Sequence, residues 1–276
     1  MSQQNAFDQK KNAILAEITS VQPDLSPKGT IDELCLPIMH LINSHVDMVT
    51  TSSCSGRISI FAEGTKIHNG IMKVGGKGEG GKWLYVSHDS DKVHNWLTKL
   101  EFEGANIIET NSDEVNSRLD GSKRYILFKY EPFILHVKCR DFNSASKLYN
   151  VAMSCGFRES GIGSNNLVGI RINIKLDVPI GYIDEDSNEL KLFVPRTYIE
   201  LLNKITSNKF EENARKIQDL FDAVKKEIVD EPVSSTNDTK IETKEERRER
   251  KIKEGLKRQR EAQLEKLKKL NLAETP

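Results

Sequence analysis

Tyr125-Ile126-Leu127-Phe128-Lys129-Tyr130-Glu131-Pro132-Phe133-Ile134-Leu135-His136-Val137-Lys138-Cys139 is the stretch that decides the fold. Aromatic and branched apolar side chains dominate it, so residues 125–130 and 133–139 read as two strands. Glu131-Pro132 parts them, because proline lacks the N–H that a strand interior donates to its neighbour. Further β-favouring runs lie at 46–51, 58–61, 71–74, 83–87 and 167–176. The first two of these read as separate strands joined by a loop of small residues. Helical spacing fills the gaps. Residues 7–21 put Phe7, Ile14, Leu15 and Ile18 on one face, and 31–44 do the same with Leu34, Ile38, Leu41 and Ile42. Helices are also predicted at 91–102 and 144–155, the latter capped by Ser144. Strands and helices alternate unevenly, which predicts an α+β fold: a mixed β-sheet core with packed helices, not a regular doubly wound sheet.

Beyond Pro195 the pattern is helical, with Tyr198, Leu201, Leu202 and Ile205 as a face that docks on the core. The predicted organisation is a compact domain over 1–206, a long helical C-terminal extension over 207–231, a linker over 232–239 and a charged, net-basic helical tail over 240–276. Residues 240–269 hold 13 basic and seven acidic side chains, an excess of six positive charges. The tail reads either as a solvated helix laced with ion pairs worth about 0.2–0.5 kcal/mol each, or as an electrostatic arm for an RNA backbone. Ile252, Leu256, Leu264, Leu267 and Leu270 are too irregular for a coiled coil.

The whole chain has 276 residues, with 41 basic and 41 acidic side chains. Wholesale charge attraction to nucleic acid or membrane is therefore excluded, and an anionic partner must be met by a local patch. Cys35, Cys54, Cys139 and Cys155 show no CxxC pair and no zinc-type spacing, so reduced thiols and no metal are expected. The first residues lack the apolar stretch of a signal peptide, and no apolar run approaches the roughly 18 residues of a membrane helix, so a soluble, cytoplasmic protein is expected.

Two phosphate-binding motifs can be laid over Gly75-Gly76-Lys77-Gly78-Glu79-Gly80-Gly81-Lys82, and both fail on context. Each must open a helix whose first amides hold phosphate. Trp83-Leu84-Tyr85-Val86 follows instead and reads as a strand, which makes the glycine run a hairpin loop between 71–74 and 83–87, or a mobile loop over a substrate.

Ser52-Ser53-Cys54-Ser55-Gly56-Arg57 is the other unusual segment. Small side chains leave amides accessible, so the run reads either as an anion nest completed by the Arg57 guanidinium or as a tight connection between strands. No histidine or lysine stands near Cys54 in sequence to activate it as a nucleophile.

Taken in order with that segment, Trp83-Leu84-Tyr85-Val86-Ser87-His88-Asp89, Phe128-Lys129-Tyr130-Glu131-Pro132-Phe133-Ile134-Leu135-His136-Val137 and Gly156-Phe157-Arg158-Glu159-Ser160-Gly161-Ile162 closely resemble the tRNA wybutosine-synthesizing protein 3 family. Ser26-Pro27-Lys28-Gly29-Thr30-Ile31-Asp32 is similar to its N-terminal signature. The resemblance spans roughly residues 7–205 and does not reach the tail. It implies an S-adenosyl-L-methionine-dependent methyltransferase with a family-specific fold that is not Rossmann-like. The implied reaction methylates N4 of the 7-(3-amino-3-carboxypropyl)-4-demethylwyosine base 3′ of the anticodon in tRNA-Phe, a step of wybutosine biosynthesis. The implied partners are the anticodon loop of tRNA-Phe and other wybutosine-pathway enzymes. The alternatives are a non-catalytic tRNA-binding adaptor, which would bind no S-adenosylmethionine, and a cysteine-dependent enzyme using Cys54.

Methyl transfer to nitrogen is an in-line displacement, for which orientation supplies about 7–11 kcal/mol and a general base a further hundredfold or more. His88, Asp89, Glu131 and His136 are the candidates for proton removal. Ser53, Ser55, Gly56, Arg57, Ser160 and Gly161 are assigned to the cofactor, and Lys28, Lys129, Arg158 and Trp83 to the substrate. Arg57 or Arg158 suits a carboxylate or a phosphate, and Trp83, Tyr85 or Phe133 could stack on the base. The bland readings stand beside these: Lys129 and Glu131 in cross-strand ion pairs, His88 and His136 as hydrogen-bonded structural residues. On an ideal strand Lys129 and Glu131 share one face and His136 the other, so they converge only if Pro132 bends the chain.

Overall fold

The structure, a computed structural model, describes residues 6–18, 20, 29–68, 71–74, 78–109, 123–184, 186–187 and 189–230. Lys28, residues 75–77 of the glycine-rich run and the basic tail lie outside them. In chain order the elements are α1 (Ala6–Ile18), a 3₁₀ turn (Glu33–Cys35) leading into α2 (Leu36–Ser44), β1 (Met48–Ala62), β2 (Thr65–His68), β3 (Ile71–Val74) and β4 (Lys82–Ser87). A second 3₁₀ turn (Ser90–Asn95) runs into α3 (Trp96–Phe102), followed by β5 (Ile107–Glu109), β6 (Tyr125–Cys139), α4 (Phe142–Ser154), β7 (Gly161–Ile162), β8 (Leu167–Arg171), β9 (Leu176–Ile183), β10 (Leu190–Leu192) and α5 (Arg196–Val224). Among the described residues, the main sheet has the order β4-β1-β6-β9-β10-β5, with β8 also on β6 and β7 on β8. Only β10 and β5 run parallel. This is the expected α+β architecture, with a mixed sheet and packed helices. No described helix is long and apolar enough to cross a membrane.

Four expectations are corrected. The runs at 46–51 and 58–61 are one strand, β1, and Ser52 to Arg57 lie inside it, so this segment is not a loop of exposed amides. Antiparallel pairing with β6 from Met48↔Cys139 to Ala62↔Ile126 overrides the weak strand propensity of serine and glycine. Residues 125–139 are likewise one strand: Pro132 sits opposite Gly56, beyond Tyr130↔Leu176, the last pair with β9, and before Ile134↔Arg171 with β8. Pro132 thus falls in the gap between the β9 and β8 ladders, where the missing N–H is tolerated. The run at 71–74 pairs with β2 and that at 82–87 with β1, so the two do not form a hairpin. Finally, Asp141 caps α4, its carboxylate accepting from the Ser144 N–H at 2.8 Å.

Along β6 the buried positions are Ile126, Phe128 and Tyr130, then Phe133, Leu135, Val137 and Cys139. The change from even to odd numbers falls at Glu131-Pro132 with no register slip against β1, so the two halves bury opposite faces of the strand. Two cores follow. One gathers Ile58, Ile60, Phe128 and Trp96; the other gathers Met48, Leu135, Val137 and the α4 stripe Ala145, Leu148, Val151 and Ala152. Each fully buried aliphatic or aromatic side chain contributes about 1.5–3 kcal/mol.

Helix α5 serves both. Ile199 and Leu202 enter the first core, and Ile217, Leu220 and Val224 the second. Where it passes the strand crossover, Asn213 accepts from the Phe133 N–H (2.8 Å) and donates to the Ser55 carbonyl (2.7 Å), so one buried amide ties β1 to β6. Gly56 lies beneath it at φ +108°, and a Cβ there would come within 3.2 Å of the Asn213 amide nitrogen and 3.3 Å of the Glu131 carbonyl oxygen. Only glycine takes that backbone angle without strain.

Candidate active site

The outer edge of β1 is where the site is built. β4 pairs with β1 only over Ile58–Ala62, which leaves the preceding N–H groups without a strand partner. Side chains take that role: Asn43 accepts from the Thr50 N–H at 2.8 Å, and Asp32 accepts from the Ser55 N–H at 2.9 Å. Satisfying buried amides in this way holds the acidic side chain at a fixed place. Asp32 opens the 3₁₀ turn, its carbonyl accepting from the N–H of the fully buried Cys35, and it is itself only 7% exposed.

In front of this edge lies a cleft of about 1080 Å³. One wall is Thr30 to Leu34; the other comes from the end of β4 and the turn after it, including Tyr85, His88 and Asp89; Phe210 of α5 and Lys92 and Lys99 complete it. Three of the quoted segments therefore meet here: residues 26–32, 52–57 and 83–89. His88 Nε2 lies 3.9 Å from Asp32 Oδ2. Cys54 joins them, with one donor atom from each of Asp32, Cys54 and His88 all within 4.8 Å of one another. Among the described residues, these three are the group that could hold a metal ion. The sequence placed no histidine beside Cys54; the fold does. Burial nevertheless pushes the Cys54 thiol upward, against a role as nucleophile.

Asp89 accepts from the Asp91 N–H at 3.0 Å and pairs with Lys92 at 3.1 Å, which hold its carboxyl below the usual range. It is the cap of the turn as well as part of the cleft wall. Tyr85 donates to the Lys92 carbonyl at 2.9 Å, so the ring is fixed.

The other sequence candidates lie along the β1/β6 ribbon. Arg57 donates to Glu131 at 2.6 Å, across the Arg57↔Glu131 register pair, and its guanidinium sits 4.9 Å from the centre of the Trp83 ring. Lys129 donates to Asp177 at 2.9 Å, again its register partner. Both acidic and basic members thus take the bland cross-strand reading, each with a different partner. His136 lies 2.8 Å from Ser52 Oγ and 3.2 Å from Arg171 Nη2, and Ser160 Oγ accepts from the Arg171 N–H at 3.1 Å. Gly161 pairs with Gly169, Arg158 is exposed and Ser53 is half-buried. Glu131 and His136 do not meet at Pro132: at about 3.3 Å per residue, five positions set them roughly 17 Å apart.

Sequence reasoning missed Asp32, Asn213 and Arg171. Asp32 stood at the end of a quoted segment from which only Lys28 was chosen. Asn213 could have been noticed as a polar side chain at a core position of the α5 stripe.

A buried carboxylate facing an imidazole, in an open cleft on an α+β sheet without Rossmann winding, defines an enzyme-type ligand site outside the dinucleotide-binding folds. Comparison with known proteins makes this specific. The chain matches the family model described as Methyltransferase TYW3 over residues 9–226, and it belongs to that family. It is 63% identical over 265 residues to the tRNA wybutosine-synthesizing protein 3 of Saccharomyces cerevisiae, covering 95% of this chain and 97% of the relative. The Schizosaccharomyces pombe protein described in the same words is 38% identical, covering 81% and 88%. Among solved structures, the PH1069 protein from Pyrococcus horikoshii OT3 shares the fold, with a TM-score of 0.57 at 24% identity over 81% of this chain and 95% of that one. As a member of a methyltransferase family, the chain acts with a methyl donor.

Proposed function

We propose that the chain is an S-adenosyl-L-methionine-dependent tRNA methyltransferase of wybutosine biosynthesis. Its acceptor is N4 of the 7-(3-amino-3-carboxypropyl)-4-demethylwyosine base 3′ of the anticodon in tRNA-Phe. The observation that carries this reading is the meeting of three separate family-like segments on one cleft, in a chain 63% identical to a tRNA wybutosine-synthesizing protein 3.

The cleft residues suit the donor. The cleft's volume lies just above the usual range for small-molecule pockets. Asp32 and Asp89 offer acceptors for ribose hydroxyls and negative charge near a sulfonium, Tyr85 and Phe210 offer apolar and aromatic surface, and Lys92 and Lys99 offer charge for a carboxylate. When bound, S-adenosylmethionine supplies an electrophilic methyl group with a neutral leaving group. The chain's own part is to orient and to take a proton. The Ser55 N–H fixes Asp32 beside His88, and the His88 imidazole, in its neutral form, receives the hydrogen lost by the acceptor nitrogen.

Incubating the protein with S-adenosylmethionine and tRNA from cells lacking this gene, followed by mass analysis of the anticodon-loop nucleoside, tests the proposal. The expected result is the gain of one methyl group on the hypermodified base. An unchanged nucleoside in the presence of intact protein and donor would overturn it.

A further inference from the structure

Next to the cleft, on the β8 side of the ribbon, stands a cation with no carboxylate partner among the described residues. Arg57 is paired with Glu131, Arg140 with Asp8 and Asp47, and Arg196 with Glu101 and Glu109. Arg171, at the end of β8, has no such partner among the described residues. It meets an imidazole instead, its Nη2 3.2 Å from His136 Nε2. A guanidinium can only donate, so Nε2 must accept, and the ring proton is on Nδ1, directed at Ser52 Oγ 2.8 Å away. The ring is neutral in this arrangement, and burial and Arg171 both lower its pKa. With both nitrogens engaged, His136 has no lone pair for catalysis. Ser160 Oγ accepts from the Arg171 N–H and fixes the same residue from the backbone side. The Ser52 hydroxyl accepts from His136, so its own hydrogen is left to donate outward.

The surroundings are open. His136 pairs across with Gly169, and Gly169 with Gly161. A Cβ added at Gly161 would meet nothing within 4 Å. Partners in register share a face, so His136, Gly169 and Gly161 form a row with only one side chain. Ser52 and Cys54 also share a face of β1, about 7 Å apart along the strand, and Cys54 belongs to the cleft cluster. The guanidinium thus stands on a bare backbone floor one strand step from the cleft.

We propose that Arg171, held by His136 and Ser160 and assisted by the Ser52 hydroxyl, binds a backbone phosphate of the RNA substrate next to the base that enters the cleft. This rests on the tRNA reading above. His136 is then a positioning residue and Arg171 the ligand-contacting one. A fork of donors kept in place by a neutral acceptor is suited to an oxyanion, because nothing on the protein competes for its charge.

The test is tRNA binding as a function of salt, together with S-adenosylhomocysteine binding by calorimetry, on the full chain. Arg171→Gln is expected to weaken tRNA binding about tenfold. It should also flatten the log affinity against log salt slope by about 0.7–0.9, the value for one phosphate contact, with donor-site affinity unchanged. Arg171→Lys should recover most of the slope. His136→Leu should share part of the defect and His136→Gln, which keeps an acceptor, should relieve it; a merely structural histidine would leave the slope alone. An unchanged slope in Arg171→Gln, or a loss of S-adenosylhomocysteine affinity instead of tRNA affinity, would overturn the proposal. Failure of the wild-type protein to bind tRNA at all would strike the functional reading, a distinguishable result.

Discussion

The cleft end and the β8 end of the middle stretch of the β1/β6 ribbon, Ser55 and Ser52, present opposite chemistry. At the cleft end the fixed group is a buried carboxylate, Asp32, set against an imidazole. At the β8 end, one strand step away, it is a guanidinium, Arg171, set against another imidazole. In the second pair burial and the guanidinium both favour the neutral ring. In the proposed mechanism His88 takes a proton, whereas His136 serves as a hydrogen-bond acceptor toward Arg171. Just past Ser55, at Gly56, Pro132 and Asn213, the ribbon changes its buried face and α5 ties the strands.

Asn213→Leu should remove both ends at once. It leaves the Phe133 N–H and the Ser55 carbonyl unsatisfied in a buried site, which costs about 2–4 kcal/mol in a urea titration and lowers donor and tRNA binding together. If only one end were affected, the crossover would not be their common support. Gly56→Ala probes the same place, with about 1–3 kcal/mol expected from the backbone angle and the crowded Cβ. Asp32→Asn separates the ends. Single-turnover methyl transfer should fall at least a hundredfold, while the salt dependence of tRNA binding stays as in the wild type. Lys129→Ala breaks a partly exposed pair with Asp177 and should change stability by less than about 1 kcal/mol and neither ligand measurably. The smallest effect is in His136, whose ring signals followed by NMR should titrate below the ordinary value near 6.5. Its folded pKa is lowered, so its contribution to stability is complete above the unfolded value and declines as pH falls from there toward the folded one. Arg171→Gln should move that titration upward, since one of the two causes of the shift is removed.

The helices and the general architecture were legible because they rest on local periodicity. The α4 stripe at Ala145, Leu148, Val151 and Ala152 is buried as its spacing requires. Its cap was misassigned by three residues, since Asp141 and Ser144 are both good caps and only the backbone geometry chooses between them. The strand limits were less legible. Ser52 to Gly56 have little intrinsic preference for a strand and are held in one by fifteen residues of partner. The strand read after the glycine-rich run is there as β4, yet its expected hairpin partner was wrong, because β4 pairs with the distant β1. The candidate site was half legible. Ser55, His88 and Asp89 came from segments that do line the cleft. Asp32, 56 positions before His88, and Arg171, 35 after His136, become neighbours only through tertiary pairing, which no local pattern encodes.

Calorimetric titration of S-adenosylhomocysteine into wild-type protein, Asp32→Asn and Arg171→Gln tests most directly that the Asp32 cleft holds the methyl donor. Binding by the wild type, a loss of tenfold or more in Asp32→Asn and no change in Arg171→Gln is the expected result. Full affinity in Asp32→Asn, with the loss in Arg171→Gln instead, would place the donor at the other end of the ribbon and contradict it.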